Sequence, residues 1–221
     1  MKPLSAVGLL ALLSSAQAAT GDLHWSLSTP MPEPRSDYVA GVVGGKLIVA
    51  GGTFWTGTKG HWIRKQFAVS THAFDLATQK WEKLSDLPVP LACAAGAVVD
   101  GRLFVLGGFT GTAVNRKIYV LEAKNSTYAW RVYGDFPFDR VYPRAAAFGS
   151  VLYVVGGTIP GPTNLSLMQI YDPVANTWSS GPSKPTPIGS GAGLFIHGAF
   201  YAMGGAGTGN VINGNTEAYC P

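Results

Sequence analysis

Two markers step together along this chain. Gly-Gly doublets close the apolar runs LIVAGG, LFVLGG, LYVVGG and FYAMGG, ending at Gly52, Gly108, Gly157 and Gly205, at intervals of 56, 49 and 48 residues. Tryptophans at Trp25, Trp81, Trp130 and Trp178 recur at the same three intervals. A shared, irregular spacing between independent markers is the signature of a repeat of about 50 residues, a unit that buries its apolar face only against its neighbours.

Each unit reads as four short strands. The first is small and apolar: YVAGVV from Tyr38, ACAAGAVV from Ala92, RAAAFG from Arg144 and GSGAGLFI from Gly189. A tight turn follows at Gly44–Lys46, Asp100–Arg102 and His197–Ala199, and Asp-Gly between apolar runs is a strong hairpin signal. The second strand is the apolar run ending in Gly-Gly, whose continuity predicts burial on both faces. The third is THAFD, KIYVLE or MQIYD, and the fourth carries the tryptophan. The acids Asp75, Glu122 and Asp172 recur at third-strand ends, which predicts turn or cap bonding. Tryptophans in phase with the scaffold predict packing between units.

The Gly-Gly doublet, the third-strand aromatic and the following tryptophan resemble the Kelch repeat. The resemblance covers residues 19–221 and implies an all-β fold, a Kelch-type β-propeller. Its blades are four-stranded sheets around a central channel. Counting repeats gives four blades. The chain ends at Pro221 on a third strand, and the stretch around Trp25 aligns with a fourth. The expectation is therefore that the N-terminal strand completes the last blade and makes a closed monomer. The competing reading is a truncated larger propeller, without independent function, whose open edges self-associate.

Residues 1–18 have Lys2, an apolar run from Leu4 to Leu13 and Ala16-Gln17-Ala18, the pattern of a signal peptide. The run is shorter than the ~20 residues of a spanning helix. A secreted or periplasmic protein without membrane insertion is expected. Asn125-Ser-Thr and Asn164-Leu-Ser match glycosylation sequons. The net charge of +4 is scattered rather than striped, which argues against nucleic acid. Two cysteines, Cys93 and Cys220, exclude a disulfide-stapled scaffold.

Alternating strands put the second-to-third and fourth-to-first loops on one face, where loop length varies. The longest, TFWTGTKGHWIRKQF after Gly52, carries Trp55, His61, Trp62 and Arg64. Loops of this length in a compact fold are often functional, and aromatic planes beside basic donors suit a carbohydrate or an acidic protein surface. Arg35, Arg140, Tyr142 and Arg144 lie on the fourth-to-first loops of that face. These eight residues are the candidate ligand-binding set. The arginines have structural alternatives in bonds to loop carbonyls, and the long loop has one in packing its own aromatics.

No metal or cofactor is expected. The four histidines lack ligand spacing, no G-x-S-x-G elbow occurs, and the Tyr-His pairing of the copper-dependent Kelch oxidases is missing. A binding module for a carbohydrate or protein partner is the leading reading. The alternative is a sugar-active enzyme. The signal peptide, repeats and Arg/aromatic loops look somewhat like the sialic-acid mutarotases (N-acetylneuraminate epimerases), with Asp139 and Arg140 as an imaginable acid–base pair.

Overall fold

The computed structural model describes residues 26–221 apart from 59, 126, 162, 208 and 210, and its regular elements are strands. The first sheet comprises β1 (Val39–Val43) and β2 (Lys46–Ala50). An inserted ribbon, β3 (Thr53–Thr58) and β4 (His61–Phe67), precedes its outer strands β5 (Thr71–Asp75) and β6 (Lys80–Lys83). The second is β7 (Ala95–Val99), β8 (Arg102–Leu106), β9 (Lys117–Lys124) and β10 (Thr127–Asp135). The third has β11 (Arg144–Phe148) and β12 (Val151–Val155). A small ribbon, β13 (Thr158–Ile159) and β14 (Thr163–Asn164), leads to β15 (Met168–Asp172) and β16 (Thr177–Gly181). The fourth is β17 (Ala192–Ile196), β18 (Ala199–Met203) and β19 (Thr216–Tyr219).

All pairings are antiparallel, each sheet runs from inner to outer strand in chain order, and the four sheets are the blades of a β-propeller. The expected closing strand at Trp25 and the expected signal segment 1–18 lie outside the described residues. Where the chain is described, it enters beside the first sheet: Thr29 Oγ1 donates to the Gln79 carbonyl at 2.6 Å, and Trp81 Nε1 donates to the Thr29 carbonyl at 3.0 Å.

Three apolar seams join the sheets. Val39, Val43 and Ile48 pack on Leu103, Tyr119 and Leu121; Phe104, Leu106 and Ile118 on Leu152, Val154 and Tyr171; Tyr153, Val155 and Met168 on Phe200 and Ala202. Second strands are buried on both faces, and each fully buried leucine or phenylalanine stabilises by about 1.5–3 kcal/mol. The tryptophans serve these seams. Trp130 Nε1 donates to Thr71 Oγ1 at 2.9 Å across the first seam. Trp178 stacks on Tyr171 at 4.7 Å and meets Phe136 edge-on.

The doublets staple one repeat to the next. Gly51 and Gly52 have φ of 65° and 101°, a conformation that strains any residue with a Cβ. A Cβ on Gly51 would also lie 2.2 Å from the Leu91 carbonyl oxygen, which accepts the Gly52 amide at 2.8 Å. Gly108 donates likewise to Arg140 and Gly157 to Ile188, at 2.9 and 3.0 Å. Asp75 and Asp172 cap turns as expected, each accepting two backbone amides. Glu122 departs from that pattern. β9 runs on to Lys124, so Glu122 sits inside the strand and pairs across it with Arg131 at 2.7 Å.

Candidate functional site

The loop face is organised by one backbone position per repeat. Asp37, Cys93, Tyr142 and Ser190 each lie two residues before an inner strand, and each is left-handed, with φ of 56°, 57°, 53° and 59°. A non-glycine residue there is uncommon, and four in phase mark a built feature. The preceding residue is fixed by paired bonds to the residue after the doublet: Ser36 with Thr53, Ala92 with Phe109, Val141 with Thr158 and Gly189 with Ala206. A ladder then crosses the seams. The Cys93 amide donates to Asp37 O at 3.1 Å, Tyr142 to Cys93 O at 2.7 Å and Ser190 to Tyr142 O at 3.2 Å. The frame is repeated, but the four side chains differ.

Beside this ladder two cavities share Tyr142. One, of ≈ 340 Å³, is walled by Phe67, Phe109, Val114, Val141, Ile159 and Pro160, with Cys93 and Lys65 at its edge. Phe67 meets Phe109 edge-on at 5.7 Å, so the base of the first ribbon supports the wall. The other, of ≈ 230 Å³, has a larger share of polar lining than the first and lies between Thr158, Asn164 and Ser190. Asn164 is held there, accepting from Thr158 Oγ1 at 2.7 Å and donating to the Ala206 carbonyl at 3.0 Å. The Cys93 thiol, with burial, pushes the neighbouring Tyr142 hydroxyl up. Burial pushes the thiol up as well, so both are neutral near pH 7. Lys65 Nζ lies 3.6 Å from Asp37 Oδ2, which also accepts from Thr53 Oγ1 at 3.1 Å. The result is an apolar trough with a polar end and one ion pair on its rim.

The long loop is an ordered ribbon that presents its aromatics outward. Trp55 is opposite Lys65 and Trp62 opposite Gly57, with a bulge after Thr56. Trp55 is 51% exposed, Trp62 57% and Ile63 80%, while His61 and Arg64 are also exposed. Local packing claims only the base, through Phe67.

The three arginines turn inward. Arg35 has a fully buried side chain, donating to the carbonyls of Gly51 and Ser70 at 2.9 and 3.0 Å and pairing with Glu33 at 2.5 Å. Arg140 is buried, donates to Gln169 Oε1 and lies over the Phe138 ring at 5.5 Å; burial without a carboxylate lowers its pKa to about 10. Arg144 is buried and donates to the Gly204 carbonyl at 2.6 Å. Asp139 pairs with Arg116 at 2.5 Å, away from Arg140's partner, so the imagined acid–base pair is not assembled. Of the expected set, Tyr142 lines both cavities, and Trp55, His61, Trp62 and Arg64 lie on the ribbon whose base, Lys65 and Phe67, lines the larger of the two. Cys93, Ser190, Phe67, Phe109, Thr158 and Asn164 complete the site unpredicted. For Cys93 and Ser190 the signal was present as a fixed phase, two residues before each inner strand, occupied by unlike residues.

The Kelch-repeats domain described as KLHDC2/KLHL20/DRC7 matches residues 16–205. The chain belongs to the Kelch-repeat family. Among curated proteins it is similar to Kelch-like protein 15 of Danio rerio, 25% identical over 192 residues that cover 78% of this chain and 30% of the relative. The human Kelch repeat and BTB domain-containing protein 12 is 26% identical over 197 residues, again 78% and 30% of the two chains. Kelch-like protein terF of Aspergillus terreus is 26% identical over 193 residues, 80% of this chain and 40% of that one. The Kelch chain therefore spans about a third of the length of the curated relatives it matches. Among the described residues, no helix is long and apolar enough to cross a membrane, and no three His, Cys, Asp or Glu side chains gather.

Proposed function

We propose that this Kelch propeller is an exported binding module that takes a segment of a partner protein across its loop face. The observation that carries this reading is the apolar 340 Å³ cavity bounded by Cys93 and Tyr142, beside a ribbon that exposes two tryptophans. Desolvated aromatic anchors around a preformed trough are where binding energy concentrates in protein interfaces. An apolar partner side chain fills the trough, its backbone meets the polar end at Thr158, Asn164 and Ser190, and Trp62 covers it. Lys65 with Asp37 orients a partner charge at the rim.

The test is a peptide library and a glycan array, each probed with the whole chain. Selected peptides carrying an apolar anchor support the reading, with Tyr142→Ala and Trp62→Ala each weakening binding by about tenfold or more, the scale of a 1.4 kcal/mol contact. Both variants keep their melting temperature within a few degrees, because neither side chain is in a seam core. Glycan binding without peptide binding moves the site to the carbohydrate reading. Export is tested separately: the secreted chain begins after Ala18 by N-terminal sequencing, and retention of Met1 removes that part alone.

A further inference from the structure

Two asparagines open sequons, Asn125-Ser126-Thr127 and Asn164-Leu165-Ser166, and the fold treats them differently. In the first and third sheets the ladder between third and fourth strands ends at the acid, Asp75 opposite Lys80 and Asp172 opposite Thr177. In the second sheet the ladder passes the matching acid, Glu122, and adds two pairs, Ala123 with Tyr128 and Lys124 with Thr127. The hairpin therefore runs on by about 7 Å, at roughly 3.4 Å for each pair. Asn125 stands at its tip, on the face opposite the loops, because the strands alternate in direction.

The stem of this hairpin is anchored. Tyr128 is buried, its hydroxyl donating to the Val43 carbonyl at 3.3 Å, and Ser85 Oγ donates to the Tyr128 carbonyl at 3.0 Å. The tip stands clear, with Lys124, Asn125 and Thr127 exposed. Asn125 has φ of 49°, a left-handed conformation that suits a tight hairpin turn and that asparagine tolerates. Asn164 is the opposite case. Its Oδ1 accepts from Thr158 Oγ1 and its Nδ2 donates to the Ala206 carbonyl at 3.0 Å. A Cβ on Gly189 would lie 2.9 Å from that Oδ1, so the carboxamide is enclosed. A sugar on its nitrogen would have to enter the 230 Å³ cavity that Asn164 lines.

We propose that Asn125 is a modification site carrying one N-linked oligosaccharide, and that Asn164 stays unmodified in the folded chain. The transfer needs an asparagine with a hydroxyl two residues on, and the hairpin tip offers both groups to solvent in Asn125 and Thr127. Asn125 Nδ2 bonds to the anomeric carbon of the first sugar. The bond from that carbon to a lipid diphosphate breaks, the diphosphate leaves with the electron pair, and the amide gives up one proton. The co-reactant is a lipid-linked diphospho-oligosaccharide of a secretory compartment, so the proposal rests on the export reading for the place where it happens. The oligosaccharide then covers the face opposite the trough and leaves the loop face bare.

The test places residues 19–221 behind an established secretory leader in eukaryotic cells and recovers the product from cells and medium. Peptide-N-glycosidase leaves aspartate where it removes a glycan, and mass spectrometry of the peptides then reads each position. The expected result is aspartate at position 125 and asparagine at position 164. Asn125→Gln abolishes the glycan and Asn164→Gln keeps it. Thr127→Ala, which spares the asparagine, abolishes it too and decides the matter where Asn125→Gln fails to fold. An unmodified product overturns the proposal, and so does a folded product modified at Asn164. A second arm uses the chain with its own residues 1–18. Modification behind the added leader but not in this arm sinks the export reading and leaves the site assignment standing. None of these readouts depends on peptide binding.

Discussion

Single positions in this Kelch chain separate frame from content. Arg35 and Arg140 occupy the same phase and make the same gesture, reaching the second residue of a third strand. Arg35 meets His72, its Nη2 3.4 Å from Nδ1, and Arg140 meets Gln169. His72 is buried, and burial, opposed by Glu33 and assisted by Arg35, lowers its pKa from the ordinary value near 6.5. Below that value the unfolded chain takes up a proton that the folded chain refuses, so stability is lost as pH falls through the window beneath 6.5. Urea unfolding between pH 7.5 and about 5 should show that loss, and His72→Gln, copying the third repeat, should flatten it. An undiminished slope in the variant would assign the loss to other groups. The arginines also mark where reading the chain stops. Loop topology placed them on a functional face, but only packing reveals that the Arg35 and Arg140 carbons lie under the doublets, that Arg35 donates to the Gly51 and Ser70 carbonyls, and that Arg140 Nε and Nη1 are buried without a partner among the described residues.

At the scale of elements, the strands were legible because apolar periodicity and glycine punctuation are local. The doublets carry a second demand that is not local. Gly51 and Gly101 have nearly the same φ, 65° and 71°, but a Cβ on Gly101 meets nothing within 4 Å, while on Gly51 it meets a carbonyl at 2.2 Å. Gly101→Ala should cost about 1–2 kcal/mol, the penalty for the left-handed conformation alone. Gly51→Ala should cost at least twice as much by denaturant unfolding, and equal costs would refute the stapling role. The long first loop was located by length, but its form as a ribbon was not, since TFWTGTKGHWIRKQF alternates too loosely to read as paired strands. A bulge after Thr56 absorbs the irregularity. The same limit hid the site. Asp, Cys, Tyr and Ser share no chemistry, so only their common phase and handedness group them.

For the whole molecule, stability follows the seams. Sheets two and three are packed on both sides, and sheet four on one. In such arrays each unit depends on its neighbours, and the outermost opens first. Hydrogen exchange should find the slowest amides in β8, β9 and β12 and the fastest strand amides in β17 to β19. Uniform protection across the sheets would instead mean a single cooperative unit. The left-handed residue before each inner strand has a further consequence. It ties the size of the mouth to its chemistry, because gaining or losing one repeat changes the circumference and inserts or deletes one side chain there in a single event. A lineage of such chains would then vary its recognition surface by copying units as well as by point substitution, spelling the rim one repeat at a time.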